Sequence, residues 1–499
     1  MSKQTVLLYN PKFRKFVYTQ VMCPPLALLA IASPLLKEGY KVKIFDALID
    51  SDAQDKVLKN LNDAICVGFT VFSDFPIADS LKLSKKIKEV DSKIPIVWGG
   101  WHPSILPLET IKEPSIDIIA RGQGEATFLE LVKCLEKKHP LNRIKGITYK
   151  KNGRVITNPD RQRTYLDDLP PIPFHILDLE KYVNDTIGKR TLGYITSQGC
   201  PYNCAFCADS LVYNRKRIDL SAKKVIRDLK KLIETYKING IMFWDTNFFI
   251  NMDKVKKICR GIIKNKWDIK WGAFERVDHF ISLNEKTIKL IKNSGCRLLV
   301  VGVESGSQKI LDFLNKGIKV EDTINFSKLC KKYGIRVRYD FMVGLPNETP
   351  EDFQKTINLV RDIYKINKHN ELSISFYTPY PGTPLCDKVI KEYDFKPPIS
   401  LIEWSEYDPS ATATKWINEK YKEKLNMFLF YLQFAFLNEY FKKKINERVM
   451  FKLLAWPMHE LALLRFRLNF FYFPIEREVY LLFKKFLTKP IRQFTEMNV

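Results

Sequence analysis

Three cysteines in one short segment constrain this chain more than any other feature. Cys200, Cys204 and Cys207 stand in a C-x3-C-x2-C spacing within Ser197-Gln-Gly-Cys-Pro-Tyr-Asn-Cys-Ala-Phe-Cys-Ala-Asp-Ser210. Gly199 lets the chain turn into the loop, while Pro201 and Asn203 keep it from becoming helix. Cysteine thiolates hold iron–sulfur clusters, and a cubane bound wholly by protein takes four of them. Three in one loop with no fourth nearby leave one iron open to a reactant. A zinc knuckle is the competing reading, but zinc sites pair C-x2-C or His partners, and none is placed here. Three buried free thiols are the other alternative.

The segment resembles the signature of the radical S-adenosylmethionine (SAM) enzymes, C-x3-C-x-aromatic-C, at Cys200, Cys204, Phe206 and Cys207. The resemblance implies a 4Fe–4S cluster on the three cysteines, SAM at the open iron, and a partial (β/α)6 barrel around both.

The other seven cysteines, Cys23, Cys66, Cys134, Cys259, Cys296, Cys330 and Cys386, are scattered and read as small buried hydrophobes. In a chain of 499 residues they are no disulfide framework, so a reducing, cytoplasmic compartment is expected. The first residues go directly into a strand-like run, Val6-Leu-Leu-Tyr9, so no signal peptide is expected. No run approaches the length of a spanning helix. Lys and Arg outnumber Asp and Glu by 81 to 56, a formal charge of +25. The lysines are spread along the chain, which favours a solvated surface over a focused nucleic-acid patch.

Residues 1–145 alternate strand and helix, the pattern of a doubly wound parallel sheet. Strands are predicted at Val6–Tyr9, Lys41–Phe45, Ile65–Val71, Ile94–Trp98 and Ile116–Ala120, with helices at Leu26–Lys37, Asp52–Leu61, Pro76–Val90 and Pro107–Ile111. Such sheets bind ligands beyond the carboxyl ends of their strands. The residues at those ends are Gly68, Thr70 and Ser73, then Gly99, Gly100 and His102, then Gly122, Gly124, Glu125 and Thr127. Tyr9-Asn-Pro-Lys12 replaces any G-x-G-x-x-G, which argues against a dinucleotide. The Gly-Gly-x-His and Arg-Gly-x-Gly-Glu turns, placed ahead of the cysteine loop, resemble the cobalamin-binding domain fused to many radical SAM enzymes. That resemblance makes the end residues cobalamin contacts. The D-x-H-x-x-G motif that carries a cobalt-ligating histidine elsewhere is absent: Asp46-Ala-Leu-Ile-Asp50 has no histidine. Cobalamin is therefore expected without a protein imidazole on cobalt. An empty flavodoxin-like scaffold is the alternative.

Residues 146–190 read as a linker with a hairpin at Asn152-Gly153, followed by the proline-rich Asp167-Asp-Leu-Pro-Pro-Ile-Pro-Phe174. Residues 191–400 then give six strand–helix units, with chemistry predicted at the carboxyl ends of the strands. Those ends carry the cysteines, Asp245, Glu275 with Arg276, Gly302-Val-Glu-Ser-Gly-Ser307, Gly344-Leu-Pro-Asn-Glu348 and Tyr380-Pro-Gly-Thr-Pro384. Family resemblance makes Phe206, Asp245, Gly302, Glu304, Ser305, Gly344 and Pro346 SAM-site residues. Glu304 would then accept from the SAM ribose or amine; alternatively it caps the next helix.

Residues 401–499 interleave aromatics with Lys and Arg and read as a helical extension broken at Pro457 and Pro474. Its apolar faces pack on the barrel, or they lie on a membrane surface or a lipid-like substrate, with Lys442, Lys443, Lys444, Lys484 and Lys485 toward anionic headgroups.

The resemblance as a whole implies a cobalamin-dependent radical SAM enzyme. In that chemistry a 5′-deoxyadenosyl radical abstracts hydrogen from an unactivated carbon and methylcobalamin donates a methyl group. An electron donor such as flavodoxin or ferredoxin and a small-molecule or lipid-like substrate follow from it. Two alternatives stay open: a cyclase or oxidase like the anaerobic magnesium-protoporphyrin ester cyclases, and a methylthiotransferase-like nucleic-acid enzyme. Against the last, the N-terminal region lacks a second cysteine cluster and the tail lacks strand alternation.

Overall fold

In the computed structural model the described residues are 5–13, 23–407, 416–435, 449–468, 470–471 and 475–478. The N-terminal sheet is built from β1 (Thr5–Asn10), β2 (Lys41–Asp46), β3 (Ala64–Thr70), β4 (Ile96–Gly99) and β5 (Ile118–Ala120). Between and after them lie the helices α1 (Leu26–Lys37), α2 (Ala53–Leu58), α3 (Phe75–Val90), α4 (Trp101–Ile105), α5 (Pro107–Thr110) and α6 (Gly124–Glu136). These five strands are parallel, and the sheet order β2-β1-β3-β4-β5 puts the change of winding direction between β1 and β3. Strands buried on both faces read as unbroken apolar runs, and β1 is buried at every position. α4 is an addition to the expected elements. It starts directly after Gly100, whose φ of 98° turns the chain from strand to helix.

The hairpin expected in the linker belongs to this sheet. Strands β6 (Ile147–Lys151) and β7 (Arg154–Thr157) extend it antiparallel beyond β5. The physical reason is that β5 would otherwise be an open edge, and Ile147 and Tyr149 are buried against it.

The second sheet is six-stranded, all parallel and strictly sequential. Its strands are β8 (Thr191–Tyr194), β11 (Gly240–Phe243), β12 (Lys270–Glu275), β13 (Cys296–Glu304), β14 (Arg336–Val343) and β15 (Glu371–Phe376). The short ribbon of β9 (Ser197–Gln198) and β10 (Ile218–Asp219) brackets the cysteine loop and helix α7 (Asp209–Val212). Helices α8 (Ala222–Tyr236), α9 (Met252–Lys264), α10 (Val277–Ile281), α11 (Glu285–Asn293), α12 (Gln308–Phe313), α13 (Val320–Lys332) and α14 (Pro350–Ile366) fill the crossovers. Their starts are written in the sequence: Ser221, Asn251 and Asn284 cap backbone N–H groups, and Thr349 forms a capping box with Asp352 ahead of Pro350. One face of each strand packs on these helices, as with Val337, Tyr339 and Phe341 of β14. The alternate face looks into the lumen.

After the sixth strand the chain returns to the first domain. α15 (Pro384–Glu392) and α16 (Leu401–Ser405) put Cys386, Val389, Leu401 and Trp404 into one apolar cluster with β1, β3, β4 and α3. The tail helices Glu419–Ala435 and Val449–Leu468 pack on the barrel. Phe428, Tyr431, Phe434, Phe466 and Phe471 are buried in its core, with Phe428 edge-on to Phe353 of α14 at 5.0 Å. These aromatics are therefore unavailable to a membrane. Pro457 does not break its helix but continues inside it. Pro474 and the lysines at 442–444, 484 and 485 lie outside the described residues. No helix among the described residues is long and apolar enough to cross a membrane.

Candidate active site at the barrel mouth

The cysteine loop is held by backbone bonds on every side. Gly199 has φ 84°, and a Cβ there would lie 2.3 Å from the Lys216 carbonyl oxygen, so only glycine fits. Between Cys204 and Cys207, Ala205 donates to the Leu314 carbonyl at 2.9 Å and accepts from the Leu385 N–H at 2.9 Å. The Cys207 N–H donates to the Cys204 carbonyl at 3.1 Å, and Ser210 Oγ donates to the Cys207 carbonyl at 2.9 Å. These bonds set the path of the loop.

All three cysteines are free thiols, and burial pushes Cys207 up to about 12 and raises Cys200. Iron binding must displace those protons, as thiolate coordination generally does. Among the described residues no group of three or more His, Cys, Asp and Glu side chains closes around one point as a single metal ion requires. The three thiols of the loop would take three corners of a cubane.

Asp245 was expected among the cofactor contacts, but its carboxylate is fully taken up elsewhere. It accepts from the Thr196 N–H at 3.1 Å, from Thr196 Oγ1 at 2.7 Å and from Ser197 Oγ, and is wholly buried. Lys254 Nζ donates to the same Thr196 hydroxyl at 2.9 Å and to Asp219 at 2.5 Å. This network clamps the step from β8 to β9, so Asp245 positions the cysteine loop. Ser305 is likewise turned away: its hydroxyl lies 3.2 Å from Thr356 of α14 and accepts from the Ser307 N–H. Both serve packing because a buried hydroxyl or carboxylate takes whatever donors are close.

Glu304 does face the lumen. It ends β13 at φ 66° and forms a buried ion pair with Lys316 Nζ at 2.7 Å. A Cβ on Gly302 would come within 2.4 Å of Glu304 Oε1, so this glycine makes room for the pair. Lys316 also lies 5.8 Å from the Phe206 ring, linking the β13 carboxylate to the cysteine loop. Phe206 packs with Ile310, Leu314, Met342 and Leu345. Gly344 turns at φ 71°, donates to Glu348 at 2.7 Å and accepts from Trp416 Nε1 at 2.7 Å, and Pro346 is buried beside it. Glu275 is buried with His279 Nδ1 3.4 Å from its carboxylate, and burial pushes it up to about 7. His279 in turn meets the Tyr202 hydroxyl inside the cysteine loop, and the Arg276 guanidinium lies 3.9 Å over the Tyr202 ring. Lys316, Tyr202 and His279 were missed in the sequence. The Asn-Lys-Gly turn after α12 carried no periodic signal for Lys316.

The N-terminal ligand loops meet this mouth directly. Gln198 Nε2 donates to Glu125 Oε1 at 2.9 Å, and Gln123 Nε2 donates to Gln198 Oε1 at 3.1 Å. α4 packs on α7, and Ile105 of α4 lies near Gly382 of the loop after β15. Gly122, at φ 68°, has nothing within 4 Å of a Cβ position, an open cradle on the ligand side. Gly100 cannot carry a Cβ, which would stand 2.7 Å from Val71 backbone atoms and 3.3 Å from Thr70 Oγ1. Gly99 ends β4 beside Ala120. The Gly68 and Gly124 requirements are different: a Cβ on Gly68 would strike Phe128 at 2.8 Å, and one on Gly124 would meet Ile31 at 3.3 Å. Both glycines let helices approach. His102 is buried at 1% exposure beneath Trp404, 5.6 Å between rings, with Nδ1 3.1 Å from Ser73 Oγ. Burial pushes it down to about 4. Its Nε2 is buried with no hydrogen-bond partner among the described residues.

A parallel α/β domain whose ligand loops close onto a three-cysteine loop at a barrel mouth defines a two-cofactor radical enzyme. The family models agree: residues 18–132 match the B12 binding domain and residues 194–360 the Radical SAM superfamily. The uncharacterized methyltransferase PH0819 of Pyrococcus horikoshii is 32% identical over 438 residues, covering 86% of this chain and 90% of that protein. The chain belongs to the cobalamin-dependent radical SAM family, whose cofactors are a 4Fe–4S cluster, SAM and cobalamin. The anaerobic magnesium-protoporphyrin IX monomethyl ester cyclase of Rubrivivax gelatinosus is 29% identical, covering 75% of this chain and 69% of that protein. Among solved structures, the cobalamin-dependent radical enzyme OxsB matches with TM-score 0.69 and 19% identity, over 97% of this chain and 75% of that one. The methyltransferase TsrM from Kitasatospora setae matches at 0.64 and 18%, over 79% and 75%. At such identities the likeness is one of fold.

Proposed function

We propose that this chain methylates an unactivated carbon of a small molecule held in the barrel lumen. The observation that carries the reading is the shared hydrogen-bond junction of the two cofactor sites: Glu125 of the cobalamin domain bonds to Gln198, two residues before Cys200. When bound, SAM at the cluster supplies the hydrogen-abstracting chemistry and cobalamin supplies the methyl group. Cys200, Cys204 and Cys207 would hold the cluster, and the Glu304–Lys316 pair with Gly302 and Phe206 would line the SAM side. Gly122 would give the corrin room. The barrel wall would keep water from the reacting carbon. An electron donor of the flavodoxin or ferredoxin type completes the proposal.

The test is anaerobic reconstitution with iron, sulfide, hydroxocobalamin, reductant and methyl-deuterated SAM, so that any methyl group on cobalt comes from the labelled SAM. The expected product gains a deuterated methyl group. A product oxidised or cyclised with no methyl gain would overturn methylation. That second reading is motivated by the cyclase relative, and product mass separates the two.

A further inference from the structure

The lumen has two unlike halves. On β11 to β13 its wall is apolar: Met242, Leu298 and Val300 with Trp244 and Phe274. On β14 and β15 it is polar. Arg336, Arg338 and Asp340 alternate with the core residues Val337, Tyr339 and Phe341, so they share the lumen face. In register beside them stand Glu371 and Ser373.

The segment before β8 closes the lower end. Ile187 packs in the lumen cluster, and Arg336 is tied down there, donating to the Thr186 carbonyl at 3.0 Å and lying 3.6 Å from Glu371. Arg338 stands above that floor. Its Nε donates to Asp340 Oδ1 at 2.9 Å, and its two terminal nitrogens have no protein partner among the described residues. Arg338 is 17% and Asp340 32% exposed, so both reach the lumen space. Asp340 neighbours Gly302 in register, and Glu304 and Lys316 are close enough to act on its charge. The free edge of Arg338 therefore lies in the same chamber as the SAM-side ion pair.

An arginine held through Nε by a carboxylate presents its remaining N–H groups as a pre-oriented fork, which matches two oxygens of a carboxylate or phosphate. We infer that the lumen takes a substrate with an apolar body and an anionic group, the anion bound by Arg338 and the body laid against Trp244 and Phe274. The inference rests on the reading of the lumen as the substrate chamber, and it excludes a wholly apolar lipid.

The test uses small probes on the cluster- and cobalamin-loaded protein without reductant: benzoate, phenyl phosphate and neutral benzamide, each titrated calorimetrically. At least one anion is expected to bind at least tenfold more tightly than benzamide, and the tighter of the two identifies carboxylate or phosphate. Arg338→Gln should weaken that anion at least tenfold, and Arg338→Lys should recover part of the loss. Equal binding of benzoate, phenyl phosphate and benzamide, or no effect of Arg338→Gln, would overturn the inference. So would Arg338→Lys binding no better than Arg338→Gln. Iron content should be unchanged in Arg338→Gln. Absence of cluster iron or of reductant-driven SAM cleavage in the parent protein would instead count against the radical SAM reading, so the two failures are separable.

Discussion

Gln198 Nε2 donates to Glu125 Oε1 at 2.9 Å, and Glu125 is buried. One end of this bond belongs to the helix that follows the fifth strand of the cobalamin domain. The other lies two residues before the first cluster ligand. Gln123 donates to the same Gln198, so the glutamine amide is bonded from both its atoms. The two domains thus meet at a satisfied polar junction, which fixes direction better than an apolar patch would.

Gln198→Ala should therefore do more than trim a side chain. It leaves Glu125 buried without its side-chain donor, at a cost of about 1–3 kcal/mol. Iron content should stay near that of the parent, because the cysteines are held by other bonds. Methyl transfer should fall more than SAM cleavage does, and the ratio of methylated product to 5′-deoxyadenosine measures it. An unchanged ratio would count against alignment through this junction.

Cys204→Ala should abolish both the cluster and SAM cleavage. The measurement is iron and sulfide after anaerobic reconstitution, with 5′-deoxyadenosine as the second readout. The Ala205 bonds to Leu314 and Leu385 survive the substitution, so the loop should keep its path and the loss should be one of ligation.

Cobalamin should bind with no protein nitrogen on cobalt. His102 is packed under Trp404, with Nδ1 set against Ser73. Electron paramagnetic resonance of the cob(II)alamin form should show no nitrogen splitting from the protein, and His102→Gln should leave that spectrum unchanged. Splitting lost in that variant would show the reverse.

Much of this architecture was written in periodicities. The six barrel strands and the five parallel strands were legible because strands buried on both faces are short apolar runs between helical patterns. The cysteine spacing was legible because ligation demands it. The partners of Asp245 were not, since Thr196, Ser197 and Lys254 are remote in sequence or ordinary in type. At Gly68 and Gly124 the sequence does not separate a helix contact from a cofactor contact, because both ask for a missing Cβ. The hairpin's membership in the first sheet depends on β5 needing a partner, which local sequence does not record. Arg336-x-Arg338-x-Asp340 did carry a period of two, the one pattern that could have marked the polar wall of the lumen.

Glu275 gives the fold a pH signature. Its carboxyl is raised to about 7 by burial, above its ordinary value of 4.5. Between those values the folded protein holds a proton that the unfolded chain has released. Stability should therefore fall as pH rises through this window, by about 3 kcal/mol for a shift of this size. Denaturant midpoints at pH 5 and pH 7.5 read the slope, and Glu275→Gln should flatten it. An equal slope in the variant would assign the dependence to other groups.

The tail supplies the last prediction. Phe428 is fully buried, with its ring 5.0 Å from Phe353 of the barrel helix α14, 5.2 Å from Phe466 and 5.7 Å from Phe471. One residue therefore joins both tail helices to the catalytic domain. Trp416, at the entry to the same segment, donates to the Gly344 carbonyl at 2.7 Å and so touches the turn after the fifth barrel strand. Phe428→Ala removes a large ring from a packed site and should cost about 3–5 kcal/mol, the range for truncating a buried aromatic. Thermal unfolding of the reconstituted protein measures the loss, and Phe428→Leu should recover part of it by refilling the space. A ring that instead served a lipid surface would be exposed in the soluble protein, and its removal would change unfolding by less than about 0.5 kcal/mol.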